Sequence, residues 1–272
     1  MIVQSAAAGA AHFVLTMAEH TAFAGRLAAA FGNARFEAVE PREPMLYVIG
    51  HHDAGWRELD AAALRDPATG LPYNLVQTPF ARIVETSSAS PDFNSAHHSY
   101  CGLISSMHSW GLYNGRYGMS DVLLLDQLAD ANRALADGML DCELKRQARL
   151  KAELANDPQT AAWLDEPRLF QNYKQLQFFD TMALYFNCVH EGARPEASFT
   201  HVPMDREEDT TVTVKPLGGG VYALDPFPFA AAGLEVSFDG RYLTPVATGP
   251  SVRATLDRAA PAAQTMRLVA AA

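Results

Sequence analysis

His51-His52-Asp53-Ala54-Gly55-Trp56 is the stretch that carries the most information about the fold and the site of this chain. A histidine next to an aspartate can bring an imidazole nitrogen and a carboxylate oxygen to one cation. Three further residues lie in predicted helices among apolar neighbours, where an uncompensated polar side chain is costly. They are His20, His108 and Asp180. A buried His/Asp cluster drawn from four separate helices is best explained by a metal, which makes the chain an enzyme candidate.

The bulk composition predicts an ordinary globular protein. The chain has 272 residues, of which 49% are hydrophobic and 19% charged, and this fits one large domain with or without a small addition. The formal net charge of -10 argues against nucleic acid or an anionic membrane surface as the main partner. We therefore expect a small-molecule substrate, which a bound cation would allow to be anionic. A homo-oligomer stays open.

The chain is expected to be cytoplasmic. Residues 1–11 lack the basic region of a signal peptide, and no uncharged apolar stretch approaches the length that spans a bilayer. The three cysteines form no Cys-x-x-Cys pair and are expected to be buried thiols in a reducing compartment. They are Cys101, Cys142 and Cys188.

Hydrophobic periodicity predicts a mainly α-helical body. Apolar residues recur at helical spacing or fill the whole segment in five predicted helices: 18–31, 44–50, 95–113, 121–155 and 166–190. A short strand is predicted at 13–17. Residues 64–93 are rich in Pro, Thr, Ser and Asp and predict a long loop.

From residue 197 the sequence changes character. Short strand-like runs occur at 210–215, 221–224, 234–238 and 266–269. Turns are predicted at Gly218-Gly219-Gly220 and at Asp239-Gly240, of which the second suits a hairpin. We therefore expect a helical metal-binding domain over 1–196, with a small β-rich appendage over 197–272 packed on it.

Four residues are the leading candidates for metal ligands: His20, His52, Asp53 and Asp180. Imidazole and carboxylate donors together suit iron, manganese or zinc rather than the all-oxygen cage of calcium. Two histidines and two aspartates leave positions open on a five- or six-coordinate metal, which is typical of a catalytic site. For Asp180 the alternative is a buried salt bridge to Arg or Lys.

His108 makes a second ion conceivable. Asp53 could then bridge two cations, which can activate a hydroxide for phosphoryl displacement or, with iron, bind dioxygen. The alternatives for His108 are a core histidine bonded to a backbone carbonyl, or a base that serves the substrate. His97 and His98 lie roughly 15 Å further along the same predicted helix, at ~1.5 Å per residue. They could join the cluster only if that helix is broken.

Three residues are candidates for the substrate pocket. Trp56 follows the doublet so closely that we expect it to lie against the site. His51 could line the pocket or accept a proton from a metal-bound histidine. Lys174 could bind an anionic substrate.

The order His20, then His52-Asp53, then Asp180 resembles the HD-domain superfamily, the His-Asp metal-dependent phosphohydrolases. A wider pattern resembles an uncharacterised bacterial domain family of unknown function along nearly the whole chain. It comprises Gly55-Trp56, Ser105-x-x-His108 and the segment 225–229 (Asp-Pro-Phe-Pro-Phe). The HD resemblance implies a helical bundle and a divalent metal. Two-metal members add two further histidines before the last Asp, and here only His108 clearly fits.

Three functions are compatible with this pattern. The preferred one is a metal-dependent hydrolase, in which a metal-bound hydroxide attacks a small phosphoester-like substrate. Asp53 and His108 would then be catalytic, His108 as an extra ligand or as proton donor to the leaving group. The second is an HD-type diiron oxygenase, resembling myo-inositol oxygenase, that cleaves a C–C or C–P bond with dioxygen. The third is a non-catalytic helical binding protein with structural histidines.

Overall fold

A seven-stranded sheet and a group of helices share one hydrophobic core in the computed structural model, which describes residues 1–246 and 251–271. The strands are β1 (Ile2–Val3), β2 (His12–Leu15), β3 (Ala197–Pro203), β4 (Asp209–Gly218), β5 (Val221–Asp225), β6 (Gly233–Leu243) and β7 (Pro261–Ala270). Their order in the sheet is β1-β2-β6-β7-β5-β4-β3. β5 and β7 pair in parallel, and the other neighbours are antiparallel.

The helices come mainly from the segment between β2 and β3. They are α1 (Met17–Ala30), α2 (Arg42–Ile49), α3 (Arg57–Ala62), α4 (Phe80–His97), α5 (Ser99–Tyr113), α6 (Gly115–Gly118), α7 (Asp130–Leu154), α8 (Pro158–Ala161), α9 (Glu166–Cys188) and α10 (Val252–Arg258). α6 is a single left-handed turn. None of the described helices combines the length and the apolar character that a bilayer-spanning helix needs.

The prediction of a mainly α, HD-domain-like bundle with a small C-terminal β appendage is wrong, and so is the term all-α. About 52% of the structure is helix and 20% is strand, and the strands form one large curled sheet, a half-barrel. This sheet also contains β1 and β2, because β2 pairs with β6 with His12 opposite Leu243. The sheet therefore takes strands from both sides of the predicted boundary at 196/197, which itself stays a prediction.

All five predicted helices are present, although their ends differ, and α4 occupies part of the predicted loop. α4 contains Pro91 and many serines, so its local sequence favours a loop, but it packs along α5 and α7. The predicted helix over 95–113 is divided at His98, whose extended backbone (φ -159°, ψ 139°) separates α4 from α5.

The predicted hairpin turn at Asp239-Gly240 is wrong, because both residues lie within β6. A Cβ atom on Gly240 would lie 2.5 Å from the Phe13 ring. The glycine therefore makes room for an aromatic side chain of the neighbouring strand. The turn at 218–220 is present between β4 and β5. Of the cysteines, Cys101 is buried, Cys188 is partly buried, and Cys142 is exposed against expectation.

Phe238 joins the sheet to the helices. Its ring is fully buried and lies 5.2 Å from the Phe23 ring of α1 and 5.6 Å from the Phe13 ring of β2. Removing it leaves a cavity that rigid neighbours cannot fill. We expect Phe238→Ala to lower the free energy of unfolding by about 3–5 kcal/mol, measured by urea denaturation. Leu217→Ala is the control, because Leu217 is 56% exposed; an equal loss in both variants would contradict this role.

Candidate metal centre

The structure brings together the five side chains predicted as ligands. They come from α1, from the turn after α2, from α5 and from α9. Ligand atoms of His20, His52 and Asp53 lie within 4.8 Å of one another, and so do those of His52, His108 and Asp180. Because His52 belongs to both sets, they form one continuous cluster.

The start of α1 fixes the first ligand. Thr16 Oγ1 accepts a hydrogen bond from the Glu19 N–H (3.1 Å), and the Glu19 carboxylate accepts one from the Thr16 N–H (2.7 Å). This reciprocal arrangement is a capping box, which defines where a helix begins. His20 therefore lies in the first turn of α1, as predicted, and its side chain is fully buried.

α4 holds the turn that carries the His-Asp doublet. α2 ends at Ile49, and the chain then turns through the doublet into a short 3-10 segment at Ala54–Trp56. The Gly55 N–H donates to Ser90 Oγ (3.0 Å), and the Asn94 side chain donates to the His51 carbonyl (3.0 Å). A helix that the sequence did not predict thus positions the central motif.

The carboxylate of Asp180 lies between two of the imidazoles. Asp180 Oδ1 is 3.2 Å from His20 Nε2 and 3.6 Å from His52 Nε2. The same His52 Nε2 atom is also 3.6 Å from Asp53 Oδ2. The His108 ring packs edge-on against the His52 ring, with 5.1 Å between centroids. Nitrogen and oxygen donors from four parts of the chain therefore lie close together.

In two of the histidines, Nδ1, the ring nitrogen that faces away from the cluster, lies within hydrogen-bond distance of an oxygen acceptor. His20 Nδ1 lies 2.8 Å from Asn187 Oδ1, and His52 Nδ1 lies 2.8 Å from the Ile49 carbonyl oxygen. In a neutral imidazole such an acceptor keeps the proton on Nδ1, which leaves the lone pair on Nε2. Metal-bound histidines characteristically have this arrangement, and in both residues Nε2 points towards the cluster.

His108 has a corresponding partner in Gln177. Its Nδ1 lies 2.6 Å from Gln177 Nε2, while Gln177 Oε1 is buried with no hydrogen-bond partner in the described part of the chain. Rotation of the amide by half a turn exchanges its oxygen and nitrogen. Oε1 would then accept from Nδ1–H, and Nε2 of His108 would offer a lone pair like the other two imidazoles.

Two residues of the site, Gln177 and Asn187, are not predicted from the sequence. Both lie on α9 with Asp180, at intervals of three and seven residues, and all three side chains are buried. Residues at such intervals share one helix face. A polar set on an otherwise apolar buried face was therefore the signal that could have identified them.

The charges of the cluster are coupled. Burial alone would raise the pKa of Asp180, but the adjacent imidazoles of His20 and His52 hold that pKa well below its usual range. Burial would likewise lower the pKa of His52, but the carboxylates of Asp53 and Asp180 outweigh it and raise the pKa to about 9. Burial lowers the pKa of His108 to about 3. The two carboxylates, Asp53 and Asp180, thus favour a positive charge at the position of His52.

The donor set fits a metal ion. His52 Nε2 is fully buried and has no hydrogen-bond partner among residues 1–246 and 251–271. A buried nitrogen without a partner is costly, and a cation at the centre of the cluster would satisfy it. Access is available on one side, because the Asp53 side chain is 18% exposed whereas those of His52 and Asp180 are exposed by at most 5%. The His/Asp cluster can therefore hold a metal.

The three predicted pocket residues lie apart from one another. The Trp56 ring belongs to the hydrophobic core. The exposed His51 ring stacks on Tyr47, with 4.3 Å between centroids. Lys174 forms an ion pair with Asp209 (2.6 Å) at a surface cleft on α9. Their part in substrate binding stays a prediction.

His97 and His98 lie outside the cluster, even though the helix that carries them is broken. His97 Nε2 is 3.1 Å from Glu43 Oε1, and its ring stacks on Tyr47 with 3.4 Å between centroids. His98 caps α5, because its Nδ1 accepts a hydrogen bond from the Tyr100 N–H (3.0 Å). Both histidines therefore have structural roles at the junction of α4 and α5.

The fold and the cluster define a protein with a buried His/Asp centre able to hold a metal, built on helices beside a curled sheet. The chain belongs to a family described as protein of unknown function (DUF3891), which matches residues 1–245. This confirms the expected resemblance to an uncharacterised domain family, whereas membership of the HD superfamily stays a prediction. No curated protein and no solved structure matches the chain.

Proposed function

We propose that this protein is a metal-dependent hydrolase acting on a small phosphoester-like substrate. One observation carries the proposal: three buried imidazoles and two carboxylates converge, and Nδ1 of His20 and of His52 lies against an oxygen acceptor. Iron, manganese or zinc suits this mixture of nitrogen and oxygen donors. When bound, such an ion would acidify a water molecule and polarise the bond to be cleaved.

The five residues would have different roles. Asp180 lies between His20 and His52 and is the central anionic donor. Of the two carboxylates, that of Asp53 is the more exposed, so it is the group next to which water would enter. The low pKa of His108 keeps its imidazole neutral, which favours the role of ligand over that of proton donor.

The kind and the number of bound ions together separate hydrolysis from the alternative of a diiron oxygenase. Both possible triads contain His52, and its Nδ1 is occupied by the Ile49 carbonyl. One remaining nitrogen can bind one ion, so the cluster favours a single metal. Two irons per chain, found by elemental analysis of protein purified with and without air, would favour the oxygenase instead.

Chelation and substitution of Asp53 test the proposal. We expect about one divalent transition metal per chain, and hydrolysis of p-nitrophenyl phosphate or its diester that chelator abolishes and metal restores. Chelator should also lower Tm, since an ion at 100 times its Kd stabilises the folded state by about 2.7 kcal/mol. Asp53→Asn should lose activity, whereas Asp121→Asn, at an exposed position, should keep it. If the purified protein contains no metal and chelator does not change its Tm, the proposal is contradicted and a non-catalytic binding protein is supported.

A further inference from the structure

The four residues of α6 form a left-handed turn directly after α5. Their φ angles are 59° at Gly115, 50° at Arg116, 58° at Tyr117 and 86° at Gly118. Glycine adopts this conformation readily, but it is strained for residues with a Cβ atom. Two consecutive strained residues persist only where their surroundings hold them, and such strain is concentrated at functional sites.

Packing explains the conformation of Tyr117 but not that of Arg116. The Tyr117 ring contacts the rings of Trp110 and Tyr173, with centroid distances of 4.7 Å and 4.9 Å. The half-buried Arg116 side chain, by contrast, makes no hydrogen bond or ion pair with any residue that the structure describes. The turn therefore fixes the backbone of Arg116, while its guanidinium group has no partner among the described residues.

Arg116 lines a cleft of about 270 Å³ between α9 and β3, which we call the α9–β3 cleft. Its polar lining includes Arg116, Lys174, Gln177, Thr181, Ser198 and His201. The charge of Lys174 is balanced by Asp209, whose two carboxylate oxygens lie 2.8 Å and 2.6 Å from Nζ. The uncompensated charge of the cleft is therefore that of Arg116, in a protein whose net charge is -10.

Gln177 connects the cleft to the metal centre. Its side chain lines the α9–β3 cleft, is 95% buried, and contacts His108 Nδ1 while one of its own polar atoms has no described partner. The cleft and the cluster are thus separated by a single polar side chain.

We propose that the α9–β3 cleft is an anion subsite in which Arg116 binds an oxyanion group of the substrate, a phosphate or a carboxylate. A guanidinium group fits both because it donates two parallel hydrogen bonds to a pair of oxygens. The cleft lies just below the usual volume of small-molecule sites, so it suits a small ligand. This inference rests on the proposed function, because the remainder of that ligand would have to reach the metal centre past the Gln177 side chain.

Titration calorimetry with inorganic phosphate and with acetate, on metal-loaded protein at constant ionic strength, tests the subsite. Arg116→Asn removes the charge, while asparagine tolerates a positive φ better than most residues. We expect phosphate binding to weaken at least ~10-fold in Arg116→Asn and by less in Arg116→Lys, which keeps the charge but not the paired donors. Arg149→Gln is the control, since Arg149 is 61% exposed on α7. Metal content should be equal in all four proteins.

Each outcome decides between the two proposals. If acetate rather than phosphate binding depends on Arg116, the subsite stands and its group is a carboxylate. If neither anion distinguishes wild type from Arg116→Asn while metal is bound, the subsite is wrong and the metal centre is untouched. If wild-type protein binds no metal, the proposed function fails first, and metal content shows this before any anion is added.

Discussion

A His52→Gln variant is expected to lose the ability to bind a metal, and with it the proposed hydrolase activity, while keeping its fold. His52 is the residue shared by both possible ligand triads, and its Nε2 lies 3.6 Å from both Asp53 and Asp180. Mutation of a residue that only hydrogen-bonds to a metal ligand typically lowers metal affinity about 10–100-fold. Loss of His52 itself should therefore weaken metal binding by at least ~100-fold. Elemental analysis and p-nitrophenyl phosphate turnover are the measurements, with circular dichroism to confirm folding.

The neighbouring histidine provides a matched control. The ring of His51 is exposed and stacks on Tyr47, and its Nδ1 is 2.8 Å from the Tyr47 carbonyl. His51→Gln makes the same replacement at the adjacent histidine, which is not part of the cluster. Metal content that falls equally in both variants, or in neither, would show that the doublet is not the centre of a metal site.

Gly55→Ala is expected to destabilise the protein by about 3 kcal/mol, which is at the upper end for overpacking a rigid site. A Cβ atom on Gly55 would lie 2.3 Å from the Thr86 carbonyl oxygen and 2.6 Å from the Ser90 amide nitrogen. Both are backbone atoms of α4, so no side-chain rotation relieves the contact. The turn and α4 would have to separate, which also displaces Asp53. Thermal and urea denaturation measure the first effect, and metal content measures the second.

Gly138→Ala is the control with the opposite expected sign. Gly138 is exposed within α7, and no described atom lies within 4 Å of its added Cβ. Alanine is favoured over glycine in a helix interior by about 0.5–1 kcal/mol, so this variant should be more stable than wild type. Equal stability of the two alanine variants would show that α4 does not lie against the doublet as described.

The doublet and Asp180 could be predicted as members of the cluster because each has a strong local pattern. An adjacent His-Asp pair is conspicuous, and a lone Asp180 between apolar residues on a long helix requires a partner. The residues that contact Nδ1 of His20 and of His108 could not be predicted in the same way. In the sequence, Asn187 and Gln177 look like ordinary polar residues. Only the structure shows that they lie on a buried side of α9.

The sheet was underestimated because strand pairing is a long-range property. Single runs such as 13–17 and 234–238 were predicted as strands, but nothing local indicates that β2 pairs with β6, more than 200 residues further along the chain. β1 contains two residues, which is too short for any periodicity. The helix α4 was missed for a related reason: its stability comes from packing against α5 and α7 rather than from its own residues.

The pairing of β2 with β6 has a consequence for protein synthesis. α1 follows β2 directly and packs on β6 through Phe23 and Phe238. On the ribosome, residues 12–30 therefore emerge long before their strand partner does, and chains fold by units as they appear. We therefore expect His20, the first of the five cluster residues to be translated, to acquire its fixed surroundings only after β6 has emerged. Nascent chains released before β6 has been made should consequently lack the assembled His/Asp cluster, even though all five of its residues have been translated.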